Sequence, residues 1–261
     1  MDKNREDTQI PKLKTNKLIY KGKFLSYFIK EFEIINGSHT IIKPYETIDY
    51  NSRCFTQNEI PNEFIGKNNQ NIYAVNIIPI IKYKSKQKKL IIVSVFRYPV
   101  NKFCLEFPDG FIDKADLNLT NEDFVESIKK AALRELEEET GFKGDFICFT
   151  SKMFLKNGCN NGDSSNTENE LKLGSNIFFD PWKSSDNSIQ CIVEVDGDKN
   201  YEKKQKLDEA ELIKVYEVEF DKILEFINEK LKTGEYGCSS VLYYFALGLN
   251  YNNLFNSIIK K

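Results

Sequence analysis

The sequence predicts an α+β protein: a small antiparallel sheet first, then a core of buried strands carrying a few long helices. Three observations lead there. Residues 17–53 alternate apolar and polar around an Asn36-Gly37 turn, the period-two pattern of half-buried antiparallel strands. From Asn71 the pattern changes to continuous apolar runs, Ile72–Ile81 and Leu90–Phe96, as in strands covered on both faces. Later stretches show apolar residues three and four apart, the spacing of one helix face.

Taken in order, residues 1–16 are polar and rich in Lys, Asn and Asp, the composition of a disordered tail. Residues 17–70 then form an N-terminal β subdomain, with the polar stretch Cys54–Gln70 separating it from a main domain at 71–261. After the two core strands a short strand ends near Phe107, and a helix follows with Val125, Ile128, Ala132 and Leu136 on its buried face. Thr120 and Asp123 can cap its start and Gly141 suits its end. Phe142–Thr150, Ile189–Val195 and Glu211–Val218 are further strands. Two helices close the chain: Asp221–Lys232, stopped by Gly234, and Ser239–Asn250, with Val241, Leu242, Phe245 and Leu249 at helical spacing. Residues 155–176 are a low-complexity insert rich in Asn, Ser and Gly.

Composition narrows the function. A net charge of −2 over 261 residues gives no basic surface for nucleic acid or acidic membrane. No apolar run approaches the roughly 18 residues of a membrane span. Cys54, Cys104, Cys148, Cys159, Cys191 and Cys238 form no C-x-x-C, and the start MDKNREDTQI lacks a signal sequence. A reduced cytoplasmic setting is expected, with access to the nucleus left open. His39, the one histidine, stands beside the Asn36-Gly37 turn, which suits a surface turn residue better than a catalytic one.

The chemistry concentrates in Glu126–Phe142, ESIKKAALRELEEETGF. Glu135, Glu138 and Glu139, at i, i+3 and i+4, share a helix face. Like charges at that spacing cost about 0.2–0.5 kcal/mol per pair, and two carboxylates about 4 Å apart repel by roughly 4 kcal/mol at an effective dielectric near 20. A hard divalent cation, Mg²⁺ or alternatively Mn²⁺, would neutralise such crowding. The plain alternative is a solvated acidic face with Arg134–Glu138 as an i,i+4 pair.

Arg134-Glu135-Leu136-Glu137-Glu138-Glu139-Thr140-Gly141-Phe142 resembles the R-E-U-x-E-E-x-G-U core of the Nudix hydrolase box, U being apolar. Glu126 stands eight before Arg134, as the family's E-x7-R spacing requires. Upstream the chain departs: the box opens G-x5-E, whereas the position six before Glu126 is Thr120 and the matching glycine is Gly110. Residues 114–123 are therefore read as a loop insertion. The resemblance implies an α/β/α sandwich, a mixed sheet between helices.

Beyond the box, Val95-Phe96-Arg97-Tyr98-Pro99 and Cys104-Leu105-Glu106-Phe107-Pro108-Asp109-Gly110 resemble the Q-F-R-x-P and E-F-P-A-G segments of the ADP-ribose pyrophosphatase branch. That likeness implies diphosphate contact by Arg97 and a backbone carbonyl ligand to metal at Asp109. It implies Glu135 and Glu139 as principal metal ligands, Glu138 as a ligand or orienter of water, and Glu106 as a ligand or a group behind the ligands. Arg134 would hold the box carboxylates. It further implies adenine stacking on Phe24 and Tyr45 across a swapped homodimer, Arg53 in the same pocket, and Asp180 in a turn approaching the ribose. The general base maps onto Glu211 of Leu207-Asp208-Glu209-Ala210-Glu211-Leu212-Ile213, with Glu209 as runner-up, on a mobile loop.

The activity so implied is Mg²⁺-dependent hydrolysis of ADP-ribose to AMP and ribose 5-phosphate. The alternatives keep the family and change the substrate, to another nucleoside diphosphate sugar such as UDP-glucose or to an oxidised nucleotide. A non-catalytic nucleotide-binding module is a further alternative, motivated by the lengthened loop and by Asp109 in place of alanine.

Overall fold

The computed structural model of the chain describes residues 11–22, 25–36, 39–50, 74–85, 87–113, 116, 124–150, 177–178, 184, 187–199, 204–209 and 211–259. The chain divides into two compact units, residues 1–73 with 176–188, and residues 74–175 with 189–261.

In the first unit β1 (Lys12–Lys21), β2 (Leu25–Asn36) and β3 (His39–Tyr50) form an antiparallel meander in chain order. β2 and β3 stay in register from Leu25↔Tyr50 to Asn36↔His39; Gly37 of the expected Asn36-Gly37 turn lies outside the described residues. β1 begins at Lys12, which corrects the reading of residues 12–16 as part of a disordered tail. Their polar side chains find cross-strand partners, Lys14 with Glu33 at 3.0 Å and Thr15 Oγ1 donating to Glu31 at 2.8 Å. Composition records polarity; it does not record that such pairs can line an exposed strand. Residues 177–178 (β9) pair with Ser188 and Asn187, and Ser184 bridges Ile48.

The second unit is built on a mixed sheet. Its strands are β4 (Ala74–Lys82), β5 (Lys88–Arg97), β6 (Lys102–Glu106), β7 (Asp109–Phe111), β8 (Asp145–Phe149), β10 (Asn187–Asp196), β11 (Ile213–Glu219) and β12 (Tyr236–Cys238). The order is β12-β6-β5-β4-β10-β8, with β11 also on β5 and β7 on β4. β12 runs parallel to β6, whereas β5 runs antiparallel to β4, β6 and β11. Helices α1 (Phe124–Thr140), α2 (Ile223–Lys232) and α3 (Ser240–Ile259) are described in it; among the described residues no helix is long and apolar enough to cross a membrane.

Alternate residues of β5 serve different clusters, as a strand covered on both faces requires. Leu90 and Ile92 join Leu105, Phe107, Ile223, Ile227, Leu242 and Ala246, seating α2 and α3. Val93 and Val95 pack with Ile213 instead. α1 packs on β4 and β7, with Ile128, Ala131, Ala132 and Leu136 fully buried; each branched side chain among them contributes about 1.5–3 kcal/mol. Val125, Thr120 and Asp123, assigned to this helix face and its cap, lie outside the residues whose side chains are described. α1 ends where Gly141 takes a φ of 74° and its N–H reaches Glu137 O at 2.8 Å, the left-handed cap that glycine adopts without strain. α3 runs on to Ile259, past the expected end at Asn250, as Leu254 and Ile258 keep the four-residue spacing in the sequence.

Candidate functional site

The site is assembled where α1 crosses the turn from β6 into β7. Gly110 in β7 exists for one contact: a Cβ there would lie 2.0 Å from Glu135 Cδ. The glycine is a cradle for that carboxyl group. One residue earlier, the Asp109 N–H donates to Glu139 Oε2 at 3.2 Å. The β7 backbone thus meets two carboxylates one helical turn apart.

These glutamates are not on a solvated face. Glu139 is 8% exposed, and Glu138 is the most open of the three. Burial pushes the Glu139 carboxyl up to about 9, helped by the neighbouring Asp109 and Glu135 and opposed by the Asp109 N–H. Glu135 is pushed up to about 7, again chiefly by burial, with Arg134 pulling the other way. Asp109 rises to about 6 through close packing and the Glu106 charge, against the pull of Arg97. The ionised forms that a metal needs are the forms this pocket penalises.

Arg134 organises the cluster with all five of its N–H donors. Nε and Nη2 hold Asp116 at 3.0 and 2.8 Å, Nη2 also donates to Phe111 O at 2.9 Å, and Nη1 spans Glu135 and Glu138 at 2.8 Å each. Burial works against its charge, but Asp116 and Glu135 more than offset this and raise its pKa further.

Asp116 was missed in the sequence, and it corrects the placing of the box. Glu126, matched to E-x7-R, is exposed and, among the described residues, pairs with Lys129 one turn along. Asp116 is 4% exposed, and its N–H bonds Asp113 O at 3.0 Å while its Oδ2 accepts from the Asp113 N–H at 2.8 Å. It stands six after Gly110, which reads G-x5-D, aspartate replacing the family's glutamate. The extra residues therefore lie between Asp116 and the helix, rather than from residue 114 onward. The available signal was the distance from Gly110, masked by a chance glutamate at the right distance from Arg134.

A second arginine stands at the end of β5. Arg97 grips Glu106 two-handed, Nε to Oε1 at 2.9 Å and Nη2 to Oε2 at 2.7 Å, and reaches Asp109 Oδ1 at 3.3 Å. The bond to Glu106 is the main cause of its raised pKa, against the cost of burial. Glu106 is 8% exposed and engaged by Arg97, which puts it behind the other acids. The Arg97 side chain is 41% exposed.

The loop that carries the other two acids is bonded to the C-terminus of α1 through Gln205 and Lys206. Glu209 and Glu211 are both exposed. Glu211 closes a turn on Asp208, its N–H on Asp208 O and its Oε2 on the Asp208 N–H, each 2.9 Å. Tyr45 belongs to the first unit, 44% exposed, its ring edge-on to Phe32 with Lys43 Nζ 5.1 Å from its centroid. Phe24, Arg53 and Asp180 lie outside the described residues.

Among the described residues no three Asp, Glu, His or Cys groups converge as a finished metal cage; Glu135 and Glu138 are engaged by Arg134 as they stand. The donor chemistry nevertheless fits one class of ion. Glu135 and Glu139 offer only oxygen, no histidine or cysteine is in the set, and the raised pKa values mark carboxylates whose charge is penalised first by burial and then by neighbouring acids, a penalty that a hard divalent cation would relieve.

Comparison with known proteins agrees with this geometry. No family model matches the chain. Over 178 residues it is 30% identical to a Caenorhabditis elegans protein assigned by name to the nudix hydrolases, covering 67% of this chain and 65% of that one. It is 30% identical over 169 residues to the ADP-ribose pyrophosphatase of Saccharomyces cerevisiae, covering 63% and 56%. With the mouse ADP-sugar pyrophosphatase it shares 44% over 72 residues, 28% of each chain. The chain spans less than two thirds of the length of these relatives. A crystal structure of an ADP compounds hydrolase superposes with a TM-score of 0.52 at 14% identity, covering 95% of this chain and 98% of that one, which shows the shared fold. With the box residues gathered on α1 and these relatives beside them, the chain is similar in sequence to curated relatives named as Nudix hydrolase and ADP-ribose or ADP-sugar pyrophosphatases, and shares the fold of the ADP compounds hydrolase.

Proposed function

We propose that this chain hydrolyses the diphosphate linkage of ADP-ribose, giving AMP and ribose 5-phosphate, with Mg²⁺ as cofactor. The observation that carries the reading is the Glu135–Glu139 pair, Glu139 buried and Glu135 half-buried, laid against the Asp109-Gly110 backbone, with Arg97 alongside. Relatives named for ADP-ribose and ADP-sugars support the substrate class.

Glu135 and Glu139, with the Asp109 carbonyl, would hold the cation, and Glu138 would be a further ligand or orient water. Bound there, a divalent ion supplies charge neutralisation at the diphosphate and acidifies water. The remaining tasks fall to the chain. Arg97 keeps Nη1 without a hydrogen bond among the described residues, and a guanidinium edge matches phosphate oxygens. Arg134 has no donor to spare, so its part is to fix Glu135 and Glu138. Glu211, with Glu209 as alternative, takes the proton from the attacking water while the bridging P–O bond breaks. Its carboxylate now caps its own turn, and it would leave that turn when substrate is bound; apo geometry does not exclude such a base. Phe24 and Tyr45 stack on adenine, Arg53 and Asp180 complete the nucleoside pocket, and two copies of the chain form a homodimer in the cytoplasm.

The test is incubation of the pure protein with ADP-ribose and Mg²⁺, products resolved by chromatography. AMP and ribose 5-phosphate are expected; absence of AMP refutes the reading. The relative named as an ADP-sugar pyrophosphatase favours one second reading, a different ADP-sugar, with other nucleoside diphosphate sugars as the further alternative. A panel with other ADP-sugars, UDP-glucose and GDP-mannose separates these by kcat/KM.

A further inference from the structure

The last turn of a helix leaves carbonyls without partners inside the helix, and in α1 those carbonyls belong to the glutamates of the box. Segment 204–206 takes them. Lys206 N–H donates to Glu138 O at 2.8 Å, Gln205 Nε2 donates to Glu139 O, and Lys206 Nζ pairs with Glu137 at 2.7 Å. The same Gln205 amide nitrogen also reaches Ile213 O, at 3.3 Å, where β11 begins. One side chain therefore joins three pieces: the end of the carboxylate helix, the entry to the turn that carries Glu209 and Glu211, and its exit. Leu207 packs on Val93, Val95 and Ile213, and the Asp208–Glu211 bonds stiffen the tip.

We infer that Gln205 is a positioning residue, a clasp that closes the 206–212 turn at its base and sets its acids at a fixed height over the end of α1. This deepens the reading of the site as a hydrolase and rests on it for the catalytic consequence. The clasp contradicts a loop free along its whole length: motion on closure is confined to the tip between Leu207 and Leu212. It also ties the turn to the backbone of Glu138 and Glu139, whose side chains are the proposed ligands. Gln205 is exposed, so the clasp acts on position far more than on stability.

The test compares wild type with Gln205→Met, which keeps the shape and loses the donors, and Gln205→Lys, which returns one. Amide hydrogen exchange at residues 206–212 is expected to rise about tenfold in Gln205→Met, the order of the two bonds lost together, with α1 amides unmoved and Tm lowered by no more than a few degrees. With ADP-ribose, kcat is expected to fall on the order of 10²-fold, the cost of about 1 Å of misplacement. KM for nucleotide should stay within about threefold, the acid limb of the pH–kcat profile should shift, and Gln205→Lys should recover part of the loss. Unchanged exchange in Gln205→Met overturns the clasp, whatever the substrate proves to be. Raised exchange with wild-type kcat and pH profile overturns its positioning role. If wild type cleaves no nucleoside diphosphate, the hydrolase reading falls, while exchange still decides whether Gln205 holds the turn.

Discussion

Two arginines meet acids in this site, and they are used differently. Arg134 is enclosed, each N–H spent on Asp116, Phe111, Glu135 or Glu138. Arg97 bonds Glu106 and Asp109 along one edge and presents the other to solvent. The first is a strut between the glutamates; the second is the one proposed to meet a charged ligand. An arginine's role here follows from how many of its donors remain, and a sequence does not report that number.

The largest effect should come from the acids between them. Glu139→Gln removes a proposed ligand while keeping the shape, and kcat should fall about 10²–10³-fold, several kcal/mol of lost charge stabilisation, with nucleotide affinity little changed. Steady-state kinetics beside a binding isotherm checks both. Equal loss in affinity would mean that Glu139 holds the nucleotide rather than the metal.

Breaking the strut comes next. Asp116→Asn leaves Arg134 facing two glutamates without its main partner. The cost should be about 2–3 kcal/mol, under the roughly 3–5 kcal/mol of a fully buried pair, because a quarter of the Arg134 side chain is exposed. Glu126→Gln, exposed on the same helix, should stay within about 0.5 kcal/mol. Urea unfolding of the two variants side by side decides which acid completes the box. If Glu126→Gln proves the costlier, the corrected register is wrong.

Most of α1 was legible because helical period, the Gly141 stop and the box core agree with one another. What the sequence hid was partnership. Glu126 satisfied a spacing rule that folding ignores, since a loop can deliver Asp116 to Arg134 from any length of chain. Burial of Glu135 and Glu139 was equally hidden: the polar face of an amphipathic helix faces water only if nothing else covers it, and here β7 does. β7, β9 and β12, at three, two and three residues, are too short to carry a period-two signal. β1 was obscured because its exposed residues look like those of an unfolded tail.

A smaller contrast should separate the arginines in kinetics. Arg97→Lys keeps the charge and loses the fork, so KM for a nucleoside diphosphate should rise about tenfold, near the low end of the roughly 1.5–3 kcal/mol of a charged hydrogen bond, with a modest change in kcat. Arg134→Lys should act on kcat and stability together. A KM effect confined to Arg134→Lys would reverse the two roles.

The gentlest test is pH. Glu135 and Glu139 prefer the protonated form when folded, having carboxyls raised to about 7 and about 9. Their contribution to stability is therefore complete below the unfolded value of about 4.5, and fades as pH climbs through about 7 and then about 9. In chelator, Tm should decline across that window, Mg²⁺ should flatten the decline, and Glu139→Gln should remove its alkaline part. A Tm that rises steadily from pH 5 to 9 in chelator, unaltered by Glu139→Gln, would contradict the burial of these acids.

The most direct measurement is product formation from ADP-ribose by wild type with Mg²⁺, by wild type in chelator, and by Glu139→Gln with Mg²⁺. The account predicts AMP and ribose 5-phosphate in the first case and on the order of 10²-fold less or none in the other two. Turnover at the same rate in chelator, or by the Glu139→Gln protein, would contradict it.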